Sequence, residues 1–189
     1  MSYDLFVSRD YLMFSCAHFV VGEKIIDPLH GHNYILQINV FGEQGKNNMV
    51  IDFHIIKRVL TPIIEQLDHH VLIPSENPFL EIQETDGQVI VKVTNFHKEY
   101  EFPKTDVVLL PIENTTVEEM SHYFVKMLTW NKEFKRDNIE RVTVTVYEYE
   151  RQGVTYELFP RYSNNINNDK IKDKLKDLSK FLDPHSHTS

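Results

Sequence analysis

The chain has 189 residues, 41% hydrophobic and 12% aromatic, with a formal net charge of −8. That size and composition suit one domain with a modest core and exclude general disorder. The acidic balance, with no basic cluster carrying interleaved aromatics, argues against nucleic acid as a partner. No apolar run approaches the roughly 18 residues of a membrane helix, and the opening Met-Ser-Tyr-Asp does not begin a signal peptide. A single cysteine, Cys16, rules out an internal disulfide and agrees with a reducing cytoplasm. The ten histidines are a surplus for this length and direct attention to metals.

Leu5 to Val20 reads as a strand, with Phe6, Leu12, Phe14, Cys16, His18 and Val20 on one side of a period-2 pattern. Gly22 to Leu29 reads as a loop closed by Asp27-Pro28. A second strand spans about His30 to Phe41 and places His30, His32, Tyr34, Leu36, Ile38 and Val40 on a common face. After a polar connection, Asp52 caps a helix to Leu67 whose Ile56, Leu60, Ile63, Ile64 and Leu67 face the core, with a kink or break expected at Pro62.

Val89 to Phe102 has the pattern of a small hairpin turning near Asn95, within an insert at about 81–110. A second helix begins near Thr116 and buries Val117, Met120, Phe124 and Met127 or Leu128. Thr115 and Glu118 have capping-box spacing. Arg141 to Glu150 alternates cleanly, with Val142, Val144, Val146 and Glu148 on one face. A turn at Gln152-Gly153 returns the chain through Val154, Tyr156 and Leu158. The plan is α+β: strand, strand, helix, helix, strand, strand in one domain over 1–160. A polar tail over 161–189 carries Ile171, Leu175, Leu178 and Leu182 at the spacing of a short amphipathic helix.

His30 and His32 flank one glycine, so in an extended strand both imidazoles reach one ion. His18 ends the preceding strand in the phase of its apolar neighbours and closes a three-histidine set if the two strands pair. Three neutral imidazoles suit zinc and leave its fourth position open, the catalytic arrangement. The competing reading is a pair of solvated histidines at a strand start, with His18 satisfied in the core; the spacing alone leaves both standing. His185 and His187 repeat the spacing in a polar tail and read as disordered. Cys16, two residues before His18 on the same face, reads as a small core filler.

Glu148 continues a valine face where an apolar side chain was due, and burying a carboxylate is costly without a partner. It is either an anchor for a ligand with paired donors or a strand-end charge already in solvent. Asp68 beside His69 can orient an imidazole for proton transfer near neutral pH, or can be a polar pair at a helix end.

The segments MFSCAHF and LHGHNY, followed by MVIDF, LDHHVL, TTVEE and VYEYE, resemble in order and spacing the 6-pyruvoyltetrahydropterin synthase / 6-carboxytetrahydropterin synthase family. The resemblance covers roughly Leu5 to Phe159 without the insert. It implies the tunnelling fold (T-fold): a four-stranded antiparallel sheet with two helices between strands 2 and 3, assembled into a ring-like homo-oligomer, a hexamer, with active sites between subunits. It also implies zinc on His18, His30 and His32, His69 as the acid/base residue with Asp68 as its partner, and Glu148 as the pterin anchor. Thr116 and Glu118 are secondary candidates for substrate contact, and His70 has no counterpart and reads as surface.

Many members carry a proton-abstracting cysteine a few residues before HGH; GEKIIDPL contains none. Other members use a glutamate three residues before the first histidine, the position of Asp27 here. Asp27 is therefore either a substitute base, one methylene shorter, or a turn former before Pro28. The implied activity is a zinc-dependent lyase converting 7,8-dihydroneopterin triphosphate to 6-carboxy- or 6-pyruvoyl-tetrahydropterin. The alternatives are aldolase-type cleavage of 7,8-dihydroneopterin and a non-catalytic pterin-binding relative.

Overall fold

Strand β1 (Ser2–Val7) leads through a 3-10 turn at Asp10–Leu12 into β2 (Met13–Val21), and a short loop returns the chain as β3 (Ile26–Glu43). The computed structural model describes residues 1–149 and 152–160. Helix α1 (Phe53–Leu67) is followed by β4 (His70–Pro74), then β5 (Leu80–Glu84), β6 (Gln88–Val93), β7 (Lys98–Pro103) and β8 (Val107–Leu110). Helix α2 (Val117–Trp130) precedes the hairpin of β9 (Ile139–Tyr149) and β10 (Gln152–Leu158). The α+β plan with two helices is as expected, and the C-terminal helix expected in the tail lies outside the described residues.

The main sheet has seven strands rather than four, in the order β10-β9-β3-β2-β4-β8, with β1 also on β3. The long β3 takes β9 on one edge and, on the other, β2 along its first half and β1 along its second. The single strand expected over Leu5 to Val20 is therefore two strands following one edge, interrupted by the 3-10 turn. Side-chain alternation looks alike on both sides of such an interruption, so the pattern concealed it. The short β4 and β8 add parallel to β2 and to each other, so the sheet is not purely antiparallel. The strand before HGH also starts earlier than expected: Ile26 to Leu29 belong to β3, not to a loop. Gln152 and Gly153 likewise lie within β10, opposite Tyr149 and Tyr147, rather than in its turn.

Both helices cover one face of this sheet. Phe14, Tyr34, Leu36, Ile38, Val40, Val142, Val144 and Val146 meet Ile56, Leu60, Ile63 and Ile64 of α1 and Met120, Phe124 and Leu128 of α2 in one core. Asp52 caps α1 through its carboxylate and the His54 N–H, 2.9 Å apart. The helix runs through Pro62 without a break. A mid-helix proline costs about 3 kcal/mol. Burial of Ile63, Ile64 and Leu67 just beyond it returns about 1.5–3 kcal/mol each, so packing outweighs the lost bond.

The expected hairpin is a separate three-stranded sheet, β5-β6-β7. Its Val89, Val91 and Val93 pack with Phe19 and Val21 of β2 and Ile73 of β4 as a second core, and Tyr100 stacks on Phe19 with ring centroids 5.0 Å apart. The insert thus covers the side of β2 opposite the helices. At its β6–β7 turn, the Asn95 amide donates to the carbonyls of Gly22 and Glu23 (2.9 and 3.0 Å), pinning the loop between β2 and β3.

Where β9 shifts register against β3, Gly42 faces Ile139, and a Cβ there would press into the Asn138 carbonyl. Gly42→Ala is expected to lower stability by about 1–3 kcal/mol, read as a lower urea midpoint. Gly87→Ala, whose added carbon meets nothing within 4 Å, should not lower it.

Candidate metal and substrate site

The β2–β3 ladder sets His18 directly opposite His30, and Cys16 opposite His32. Since residues opposite one another share a face, the three imidazoles converge, with ring centroids 4.6 Å apart for His18–His30 and His30–His32 and 5.3 Å for His18–His32. One ligand atom from each, together with a Glu148 carboxylate oxygen, falls within a 4.8 Å span.

Hydrogen bonds orient two of these rings. His18 Nδ1 lies 3.0 Å from the Thr115 carbonyl and 3.2 Å from its hydroxyl, and that hydroxyl donates to the Phe19 carbonyl at 2.8 Å. His30 Nδ1 donates to the Pro28 carbonyl at 2.6 Å. These acceptors place a proton on Nδ1 of each ring, so in its neutral form each presents a bare Nε2 lone pair, the tautomer in which a metal-ligating histidine is held. Burial, and then the neighbouring His30 and His32, lower the His18 pKa to about 4, so it is neutral near pH 7. Three convergent imidazoles, two of them oriented by hydrogen bonds, fit a divalent cation, and this donor set suits zinc.

Glu148, half-buried at the end of the valine face of β9, points its Oε1 at this cluster, 3.3 Å from His32 Nε2 and 3.6 Å from His18 Nε2. The fully buried Tyr34 stands behind it, its hydroxyl 3.1 Å from Glu148 Oε1 and 3.1 Å from His18 Nε2. Burial, and then the Glu148 charge, raise the phenol pKa well above its usual value, so the hydroxyl keeps its proton.

Asp27 reaches the cluster through a bulge. Opposite Phe19, β3 spends two residues, Pro28 and Leu29: His18 pairs with His30 while Val20 pairs with Asp27. An odd offset of three residues would ordinarily put Asp27 and His30 on opposite faces; the bulge restores a common one. Proline, lacking an N–H, suits that gap in the ladder. The Asp27 carboxylate is 3.8 Å from His30 Nε2 and exposed, as are the neighbouring Ile25 and Leu29.

At the C-terminus of α1, Asp68 Oδ2 lies 2.8 Å from His69 Nδ1, and Oδ1 accepts the Ser15 N–H at 2.7 Å. The Ser15 bond and then the His69 bond hold the Asp68 carboxyl below its ordinary range, against the opposing effect of burial. His69 adopts φ 62° and gives its own N–H to the Ser15 carbonyl, a left-handed position costly for a non-glycine residue. Two bonds to Ser15 thus fix this pair against β2. His69 is exposed and lines a cavity of about 1020 Å³ together with Ser15, Cys16, His32, His70 and Glu148. His70 is half-buried there rather than on open surface, its Nδ1 donating to the Asp68 carbonyl at 2.7 Å. Cys16 is buried; desolvation, then the Asp68 and Glu148 charges, push its thiol up to about 12.

The cap of α2 is Thr116, whose hydroxyl accepts the Glu119 N–H at 3.4 Å, and Glu118 is exposed in the first turn. The capping-box spacing of Thr115 and Glu118 is therefore one residue out of frame. Two consecutive threonines leave the frame open in sequence, and the demand of His18 for a buried acceptor draws Thr115 inward. Thr115, Tyr34 and Ser15 are the site residues that sequence reasoning did not assign. Only Tyr34 carried a signal, by sharing the face of His30 and His32.

The profile of the 6-pyruvoyl tetrahydropterin synthase family matches residues 8–158. A Methanocaldococcus jannaschii protein provisionally named 6-carboxy-5,6,7,8-tetrahydropterin synthase is 35% identical over 147 residues, covering 77% of this chain and 89% of that protein. The crystal structure of 6-pyruvoyl tetrahydropterin synthase from Plasmodium vivax superposes with a TM-score of 0.78 at 31% identity, over 84% of this chain and 99% of that one. The Plasmodium falciparum enzyme gives the same TM-score at 27% identity, over 84% and 98%. The chain belongs to the 6-pyruvoyl tetrahydropterin synthase family of pterin-forming enzymes.

Two variants test the cluster. His32→Ala should lose bound metal by elemental analysis, since two imidazoles seldom hold zinc against buffer. Thr115→Val keeps the carbonyl but frees the His18 ring from its hydroxyl, and should weaken metal binding about tenfold or more in chelator competition.

Proposed function

We propose that the chain is a zinc-dependent lyase acting on the side chain of 7,8-dihydroneopterin triphosphate to form a 6-carboxy- or 6-pyruvoyl-tetrahydropterin. The observation that carries this reading is the convergence of His18, His30, His32 and Glu148 beside a cavity that His32 and Glu148 line together with His69. Family membership supplies the pterin. His18, His30 and His32 hold the zinc, which supplies Lewis-acid polarisation of side-chain oxygens.

Glu148 accepts the ring N–H and amino group of the pterin side by side. His69, its Nδ1 committed to Asp68, carries protons on Nε2. Asp27, on the face of His30, takes the proton from the side-chain carbon. Two things favour a carboxylate over a thiol in that role: the buried Cys16 is held protonated, and the solved Plasmodium vivax structures include alanine and cysteine variants of a catalytic glutamate. Thr116 and Glu118 are left as a helix cap and an exposed first-turn residue whose contact with substrate would come from an assembled subunit.

One observation favours a second reading, aldolase-type cleavage of dephosphorylated 7,8-dihydroneopterin. Among the described residues no lysine or arginine lines the cavity, and Asp106 and Glu148 do. A triphosphate bound there would draw its cations from another subunit. Such assembly is part of the proposal: a homo-oligomer larger than a dimer, hexameric by family resemblance, working in the cytoplasm. Among the described residues no helix is long and apolar enough to cross a membrane.

Incubation with each substrate, with products identified by mass, decides between the readings; no product from either leaves a pterin-binding protein without turnover. Asp27→Asn should lose a hundredfold to ten-thousandfold in turnover while retaining zinc and pterin, and Cys16→Ala should be nearly silent. The reverse pattern would transfer the base to Cys16. Light scattering should give a species larger than a dimer, and a stable, active monomer would contradict shared active sites.

A further inference from the structure

Tyr34 has one hydroxyl proton and two acceptors. The bare Nε2 of His18 and the Oε1 of Glu148 each lie 3.1 Å from its oxygen. The ring is fully buried and stacked on Phe14, with centroids 5.2 Å apart, so the oxygen cannot move away from either partner. His18 cannot resolve the competition by changing tautomer, because its Nδ1 proton is already given to Thr115. Only the direction of the phenolic proton is free.

From this geometry we propose that Tyr34 is a positioning residue coupling metal loading to pterin binding. Without metal, the Nε2 lone pair of His18 competes for the Tyr34 proton. With that lone pair committed to a metal, the proton would turn to Glu148. The carboxylate is then held by a charge-assisted hydrogen bond, roughly twice as strong as a neutral one, leaving Oε2 and the remaining Oε1 lone pair for the ring. The proposal rests on the assignments of His18 to the metal and Glu148 to the pterin. No covalent bond changes; one hydroxyl rotates.

The test uses unsubstituted pterin, which has no side chain for the metal to touch, titrated by fluorescence into metal-free and zinc-loaded protein. The wild-type protein should bind pterin severalfold more tightly when zinc-loaded, the difference between a proton shared with His18 and one given wholly to the charged Glu148. Tyr34→Phe should retain zinc but bind pterin with the same weakened affinity in both states. A gap that survives in Tyr34→Phe, or no gap in the wild-type protein, overturns the coupling. Should Tyr34→Phe fail to fold, Glu148→Gln serves: its amide oxygen can still accept the phenolic proton but without a charge, so the gap should shrink, and an undiminished gap overturns the coupling. Normal pterin affinity in Glu148→Gln would instead remove the anchor itself, an outcome separate from loss of the metal-dependent gap.

Discussion

His18 stands opposite His30 across the β2–β3 ladder, and most of the site follows from that register. A slip of one residue would send His18 to the insert face and leave His30 and His32 without their third partner. The register is held from both sides of the sheet. Phe14, Tyr34 and Leu36 lock one face against the helices, while Phe19 and Val21 lock the other against the inserted sheet. Just past the His18–His30 pair, the ladder gains its extra residue at Pro28–Leu29. That irregularity brings Asp27 to the histidine face.

The polar groups behind the histidines form a continuous buried chain: the Phe19 carbonyl, the Thr115 hydroxyl and carbonyl, the His18 ring, the Tyr34 hydroxyl and the Glu148 carboxylate. Low local polarity strengthens each bond and raises the cost of leaving any of them unmade. The same burial keeps His18 neutral and Tyr34 and Cys16 protonated, so three titratable groups around the cluster occupy single states near pH 7. Asp68 is fixed differently, by the Ser15 N–H, which anchors the end of α1 to β2 and sets His69 over the cavity.

The inserted sheet has a structural part in this arrangement. It buries the side of β2 that the helices leave open, and through Asn95 it grips the backbone at Gly22 and Glu23, just before the strand that carries Asp27 and His30. The loop leading into the histidine strand is thereby tied to a second hydrophobic core rather than left to solvent.

Much of the fold and the outline of the site were legible in the sequence, because local periodicity survives folding. The alternation through Tyr34, Leu36, Ile38 and Val40, the Asp52 cap with its helical face, and the shared phase of His30 and His32 all depend on neighbours within a few residues. Tertiary structure decided what depends on distant partners. The 3-10 turn and the parallel additions of β4 and β8 lack a periodic signature, and β5 alternates over only five residues. The bulge was unreadable because a one-residue excess exists only relative to a partner strand. Thr115 was misassigned because the cap frame of α2 is fixed by a hydrogen bond to His18, 97 residues away in sequence. Sequence determined which residue types were available and on which faces; the pairing of remote strands determined which of them meet, because hydrogen-bonded register is a property of two segments and is written in neither alone.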